Sequence, residues 1–269
     1  MDRTPAWAGK FYPADPVELR TMVRALLGQA PAPRDTPSLL AMSPHAGYDY
    51  SGGIAALTLK QANLHPTILL LGPKHTVQGA SLALWPHGAW HFPGGHLDVA
   101  ADLCDAILAA NYRIHADTAA HWHEHSLEVL LPFLHALNPA TRIAPLTVAD
   151  PQPETLAAVA TSLAAIIQEW PDPISIVVSS DMSHFLPQEP TKKRDAMALE
   201  RIKALNPEGL YATVHDNDIT MCGVLPMTVG LMICRLLGAT SVDITAYATS
   251  GDISGDFDRV VGYAGALVA

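Results

Sequence analysis

Three apolar runs in this chain each stop at a loop that carries a histidine. Leu39-Leu40-Ala41-Met42 empties into Ser43-Pro44-His45-Ala46-Gly47, and Ile68-Leu69-Leu70-Leu71 into Gly72-Pro73-Lys74-His75. Ile174 to Val178 empties into Ser179-Ser180-Asp181-Met182-Ser183-His184. Strand, abrupt loop and helix make the α/β unit, and in open α/β sheets ligands sit where strands end. The recurrence therefore constrains the chain to a layered α/β fold. It also puts three imidazoles on rigidly held, solvent-accessible loops that can share one pocket.

The rest of the chain continues that rhythm. Residues 1–14 read as an extended arm whose aromatics Trp7, Phe11 and Tyr12 can pack or line a cleft. Asp15-Pro16 is a helix start, a capping carboxylate followed by proline at the first helical position, and that helix runs to Gly28. Pro31, Pro33 and Pro37 form a short connector. Strand Leu39–Met42, the His45 loop, a helix over 53–63 and strand Thr67–Leu71 make a βαβ unit with an expected right-handed crossover. Ser81–Trp85 and Ala89–Phe92, around Pro86-His87-Gly88, read as a hairpin. A helix over Asp98–Ala110, the loop His121–His125, a helix over Ser126–Leu137 and strand Arg142–Val148 follow. Helix 154–169, strand Ile174–Val178 and helices near 191–204 and 223–237 lead to strand Val242–Thr249, a Gly/Asp-rich loop over 251–256, and strand Arg259–Val268. No internal repeat or low-complexity tract interrupts the pattern. Residues 1–269 are expected to form a single three-layer α/β/α domain with a mixed central sheet.

Composition narrows the function classes. With 49% hydrophobic residues over 269 positions the chain can bury a large core. Its 16 basic and 26 acidic side chains give a formal charge of −10. That argues against nucleic acid or an anionic membrane as main partner, because both require clustered Lys and Arg. The one basic cluster, Lys192-Lys193-Arg194, reads as a solvated helix face. Cys104, Cys222 and Cys234 are odd in number and contain no C-x-x-C pair, which points to a reducing compartment. The start Met1-Asp2-Arg3-Thr4-Pro5 has no apolar signal core. No run reaches the ~18–20 apolar residues that span a bilayer; Val224–Leu237 is interrupted by Pro226 and charged at Arg235. The expectation is a soluble cytoplasmic protein.

Neutral imidazole is a common metal ligand and also a general base near neutral pH, and both uses need a second group. A lone loop histidine usually just hydrogen-bonds backbone; three at equivalent strand ends point to chemistry. Cys222, in Thr220-Met221-Cys222-Gly223, is a candidate second group. It precedes an apolar helix whose N-terminus would stabilise a thiolate, either as metal ligand or as nucleophile. The ordinary alternative, a small buried hydrophobe, is the reading given to Cys104 and Cys234. Asp181 shares a loop with His184 and can orient its ring or support a bound cation from behind its ligands, although an Asx turn would also explain it. In His125-Ser126-Leu127-Glu128, His125 and Glu128 fall on one helix face, a geometry suited to metal or proton transfer; a helix-capping box accounts for the same residues. H-E-x-x-H is not met, since Leu127 stands at the closing position, and no P-loop or G-x-G-x-x-G pattern supports nucleotide binding.

Pro44-His45-Ala46-Gly47-Tyr48, Gly72-Pro73-Lys74-His75, Glu124-His125-Ser126-Leu127-Glu128, Ser179-Ser180-Asp181-x-x-His184 and Met221-Cys222-Gly223 resemble, in order, the motifs of the Memo family. In prokaryotes this family is called AmmeMemoRadiSam system protein B. Ala8-Gly9-Lys10-Phe11-Tyr12 and Tyr263-Ala264-Gly265-Ala266-Leu267 extend the resemblance over nearly the whole chain. It implies a fold like that of the LigB-type class III extradiol dioxygenases, which hold ferrous iron with two histidines and a glutamate. Carried over residue by residue, His45 and His75 match the family's metal-site histidines and Cys222 its third ligand. Asp181 and His184 match polar residues of the same cleft. Tyr50 and Phe11 match cleft-wall aromatics, Phe11 replacing a tryptophan of some members, and Glu128 is placed on the cleft wall with them. Cys222 in place of a carboxylate departs from the dioxygenases, because thiolate favours copper(I), zinc or thiolate-ligated iron.

The leading expectation is a mononuclear site of His45, His75 and Cys222 holding Fe(II), with copper or zinc as alternatives. His184, oriented by Asp181, and His125 would carry acid/base work on a small-molecule substrate in redox or oxygenase-like chemistry. One rival is metal-free catalysis with Cys222 as nucleophile, His184 as base and Asp181 as orienter. Another is a non-catalytic peptide-binding module, disfavoured by the −10 charge and by the absence of Arg from the matched motifs. The prokaryotic family name implies functional association with a radical-SAM protein.

Overall fold

The computed structural model describes residues 1–269. In chain order its elements are α1 (Pro16–Gln29), β1 (Leu40–Ser43), α2 (Tyr48–Gln61), β2 (Thr67–Gly72), β3 (Leu82–Leu84), β4 (Ala89–Phe92) and β5 (Gly95–Val99). They continue with α3 (Ala101–Ala110), β6 (His115–Ala116), α4 (Leu131–Leu137), β7 (Arg142–Val148), α5 (Pro153–Glu169), β8 (Ile174–Ser179) and β9 (His184–Leu186). The last elements are α6 (Gln188–Lys203), α7 (Pro207–Asp216), α8 (Val224–Leu236), β10 (Val242–Thr249), α9 (Gly251–Ser254) and β11 (Val260–Val268).

The strands form one mixed sheet in the order β10-β11-β1-β8-β2-β7-β3-β6, with β5 also pairing β7, β4 pairing β5 and β9 pairing β11. Helices α1, α2 and α4 pack together on one face, while α3, α5, α7 and α8 pack on the other. This is the expected three-layer α/β/α arrangement. Strands β1, β2 and β8 are buried at every position, so their apolar runs need no polar alternation. β1 and β2 are not neighbours: β8 lies between them and parallel to both.

Helix α1 begins as its sequence indicates, with the Asp15 carboxylate accepting from the main-chain N–H groups of Val17 and Glu18. Helix α2 starts at Tyr48, five residues before the expected 53, so Gly52 lies inside it. There a Cβ would come 2.9 Å from Leu26 Cδ1 of α1; the glycine permits the two helices to pack closely.

The hairpin expected from Ser81–Trp85 and Ala89–Phe92 does not form. β3 instead runs antiparallel to distant β7, with Leu82 opposite Val148, and β4 pairs with β5. The turn between β4 and β5 is Phe92-Pro93-Gly94-Gly95, with proline at its second position and Gly94 at φ +86° at its third, the requirements of a type II turn. Because β5 takes residues 95–99, the helix expected from Asp98 begins only at Ala101. The segment expected as a helix over Ser126–Leu137 is a 3₁₀ turn over Glu128–Leu130 followed by α4. Helix α7 was not anticipated, although Asn206-Pro207 repeats the Asp15-Pro16 start signal and the Asn206 side chain accepts from Gly209 N.

Candidate metal centre

Because β1, β8 and β2 run side by side and parallel, their C-terminal ends open at one sheet edge. His45 follows β1, His75 follows β2, and Asp181 follows β8. The His45 and His75 ring centroids are 5.5 Å apart. His125, delivered by the segment before α4, completes the group. Its ring stacks on His75 at 4.6 Å and meets His45 edge-on at 5.3 Å. One ligand atom from each of these histidines lies within 4.8 Å of the other two. His45 is buried, His125 half-buried and His75 exposed, so the centre opens to solvent on the His75 side.

Each of two rings has one nitrogen already engaged. His45 Nδ1 is 2.6 Å from Ser179 Oγ, and Ser179 Oγ in turn donates to the Ser126 carbonyl. With that hydroxyl proton committed, His45 Nδ1 is the donor to Ser179 and Nε2 keeps its lone pair. His75 Nδ1 lies 2.8 Å from Glu124 Oε1, which likewise leaves His75 Nε2 available. Glu124 also accepts from the main-chain N–H groups of His75 and Ser126. Such outer partners fix tautomer and ring orientation at metal sites.

Cys222 immediately precedes Gly223, the N-cap of α8, and its Sγ sits 3.3 Å from His45 Nε2. It is not among the three groups whose ligand atoms all lie within 4.8 Å of one another; His125 is. Sγ accepts from Asp181 N at 3.2 Å. The helix N-terminus was expected to favour the thiolate. Burial and the Asp181 carboxylate overrule it and push the Cys222 pKa well up, since both penalise a second negative charge. A cation beside the sulfur would reverse that balance.

Asp181 does not orient His184. Its carboxylate accepts from the His45 main-chain N–H at 2.8 Å, and burial raises its pKa. His184 is held by Thr220 instead: its N–H donates to Thr220 Oγ1 at 2.7 Å and its Nδ1 lies 2.9 Å from the Thr220 carbonyl. That carbonyl can only accept, so His184 Nδ1 carries the proton and Nε2 is free.

Glu128, expected on the cleft wall, is fully buried and turned toward the N-terminal arm. It pairs with Arg3 Nη1 at 2.6 Å, accepts from Tyr12 Oη at 2.6 Å, and accepts from the main-chain N–H groups of Ala6 and Trp7. The arm it anchors does reach the centre, where Phe11 stacks on His125 at 4.5 Å and Trp7 meets it edge-on at 5.4 Å. Tyr50 stands in the first turn of α2 just after the His45 loop, 45% exposed.

Burial holds two of the imidazoles neutral. Desolvation, then repulsion from His75, lowers the His45 pKa to about 3. Desolvation, then repulsion from His45, lowers that of His125 to about 4. For Glu124, burial works against the charge, but the hydrogen bond and attraction from His75 outweigh it and hold the carboxyl at about 2. The centre thus presents two neutral imidazoles, those of His45 and His125, near a charged carboxylate. That is the protonation state a divalent cation requires of its ligands, and the residues fit a metal ion.

A family model described as Memo-like protein matches residues 3–267. The chain belongs to the Memo family. A MEMO1 family protein of Methanopyrus kandleri is 36% identical over 276 residues, covering 98% of each chain. One from Aquifex aeolicus is 37% identical over 266 residues, again covering 98% of each. One from Methanothermobacter thermautotrophicus is 35% identical, covering 98% of this chain and 99% of its own. The Memo match takes in both histidine loops, Glu124 and Cys222. No helix is long and apolar enough to cross a membrane.

The roles of Glu124, Ser179 and Thr220 were missed by sequence reasoning. Glu124 had one signal, a carboxylate inside the histidine-dense run His121–His125. Ser179 and Thr220 stand inside quoted motifs, but nothing in those motifs names their partners, which lie 134 and 36 residues away.

Proposed function

We propose that this Memo-family protein holds a single metal ion on His45, His75 and Cys222, iron first and copper second, and uses it in redox or oxygenase-like chemistry on a small substrate. The observation that carries the reading is the meeting of His45 Nε2 with Cys222 Sγ at 3.3 Å, beside a His75 ring whose Nδ1 is committed to Glu124. Two facing imidazole nitrogens and a sulfur match the donors that iron, copper and zinc accept. When bound, the ion would supply a Lewis-acidic and redox-capable centre.

The chain's own residues do the rest. Ser179 and Glu124 orient the imidazoles. Asp181 fixes the His45 loop through its main chain and adds negative charge near the cation. Phe11 and Trp7 exclude water on the His125 side, leaving the His75 side for substrate. His184, with Nδ1 tied to Thr220, offers Nε2 to take or return a proton. His125 stands as a further ligand or as a second proton carrier.

The 3.3 Å contact also supports one metal-free reading by proximity, Cys222 as nucleophile with His45 as its base, against the burial that lowers the His45 pKa and raises that of Cys222. Elemental analysis with EPR on protein purified without oxygen tests both. The metal reading expects one ion per chain and a large drop in Cys222→Ser. The metal-free reading expects none, with stoichiometric alkylation of Cys222.

A further inference from the structure

A cavity of about 760 Å³ lies between α1, α4 and the β4–β5 turn, and none of its lining residues belongs to the histidine centre. That volume is within the range of about 300–1,000 Å³ typical of small-molecule sites. Its floor and walls are apolar: Leu19 and Val23 of α1, Phe92 of β4 and Pro132 of α4. Its charged lining is exclusively basic, namely Arg20, Arg24 and Lys60, and His135 adds a polar edge. In a chain of formal charge −10, a cleft lined by no carboxylate is a local reversal of sign.

Those cations are not equivalent. Lys60 Nζ is committed to the carbonyls of Leu27 and Ala30, both at 2.9 Å, where it ties α2 to the end of α1. Arg20 and Arg24 are exposed, one helical turn apart, and form neither an ion pair nor a side-chain hydrogen bond. Two unpaired guanidiniums on one helix face can share a planar carboxylate through paired N–H donors. At the other end Gly94, at φ +86°, brings the β4–β5 turn against Pro16, where an added Cβ would lie 3.0 Å from Pro16 Cβ. The cleft is therefore braced at both ends, by the lysine clamp and by the turn. Burial lowers the pKa of His135, so at neutral pH it offers a hydrogen bond rather than a charge.

We propose that this cleft binds a carboxylate-headed amphiphile, its head on Arg20 and Arg24 and its hydrocarbon body against Leu19, Val23, Phe92 and Pro132. The chemistry discriminates at both ends. A neutral head leaves the guanidiniums unused, and a short polar acid leaves the apolar walls wet.

The test is calorimetric titration of the full chain with sodium decanoate and, separately, 1-decanol. Decanoate should bind saturably at one site, and decanol about tenfold more weakly. Arg20→Ala/Arg24→Ala should lower decanoate affinity by roughly tenfold while leaving decanol unchanged. Ala136→Trp, at an exposed lining position, should block both, and His75→Ala should change neither. Because a variant can fail by misfolding, heteronuclear NMR on the unaltered protein gives an independent reading: decanoate should shift resonances in residues 19–28 and 132–137. Equal affinity for decanoate and decanol, absence of saturable binding, indifference to the arginine substitutions, or shifts centred on His45, His75 and Cys222 would each overturn the proposal.

Discussion

The Glu124 carboxylate grips His75 twice, through its main-chain N–H and through ring Nδ1 at 2.8 Å. One buried acid thereby sets both the path of the loop after β2 and the rotation of the imidazole that loop carries. Its own pKa, held at about 2, keeps it charged at neutral pH.

Glu124→Gln keeps the shape of the side chain but removes the charge and one acceptor. Loss of an outer-shell partner of a metal-bound histidine weakens metal binding by about 10–100-fold. Metal affinity measured by chelator competition should fall by that order, while the circular dichroism spectrum stays unchanged. Unaltered affinity would contradict a role for the Glu124 carboxylate in metal binding.

Glu128 should matter to stability rather than to metal chemistry. Glu128→Ala leaves Arg3 buried without its counter-ion and strips acceptors from Tyr12, Ala6 and Trp7. Breaking one partner of a buried pair costs roughly 3–5 kcal/mol. Urea denaturation should show a loss of that size, and trypsin should cut faster at Lys10 as the arm loosens. Retained stability with Lys10 still protected would show that Glu128 does not hold the arm.

Gly223 holds Cys222 close to β8. An added Cβ would come 2.4 Å from Ser180 Cβ and 2.6 Å from the Ser179 carbonyl oxygen. Gly223→Ala should cost about 1–3 kcal/mol through overpacking and push the Cys222 loop outward. The readouts are a lower Tm and faster alkylation of Cys222; an unchanged Tm and alkylation rate would contradict this packing.

Low pH should destabilise the metal-stripped protein through its buried neutral histidines. His121, outside the metal centre, has its pKa lowered from 6.5 to about 4, by desolvation first. Between those values the unfolded chain binds the proton and the folded one does not, so stability is complete above about 6.5 and declines as pH falls toward 4. His45 and His125 act in the same direction, whereas Asp195, raised by burial, acts in the opposite one. His121→Gln should therefore flatten the decline by roughly 2–3 kcal/mol at the acid end relative to the unsubstituted protein. Parallel pH profiles for the two proteins would contradict a buried neutral His121.

Much of this architecture was legible from the chain because β1, β2 and β8 are apolar throughout and end in recognisable loops. What could not be read locally depended on distant partners. The β3 segment lies close in sequence to β4 yet pairs with β7, some 60 residues on, and no turn residue signals that choice. His45, His75 and Cys222 were identifiable by residue type and motif, and Phe11 by resemblance. The grip of Glu124 on His75 spans 49 positions and that of Glu128 on Arg3 spans 125, so neither carboxylate could be assigned its partner from spacing alone. Cys222 teaches a related lesson. Its place before a helix suggests a low pKa, but burial and Asp181 decide the sign, and both appear only once the chain is folded.

The central claim, a cation shared by two imidazoles and one thiolate, is tested most directly by X-ray absorption at the metal edge of anaerobically purified protein. The account predicts nitrogen neighbours at about 2.1 Å and one sulfur at about 2.3 Å, the sulfur vanishing in Cys222→Ser. A shell with no sulfur, or a sulfur that persists in that variant, would contradict it.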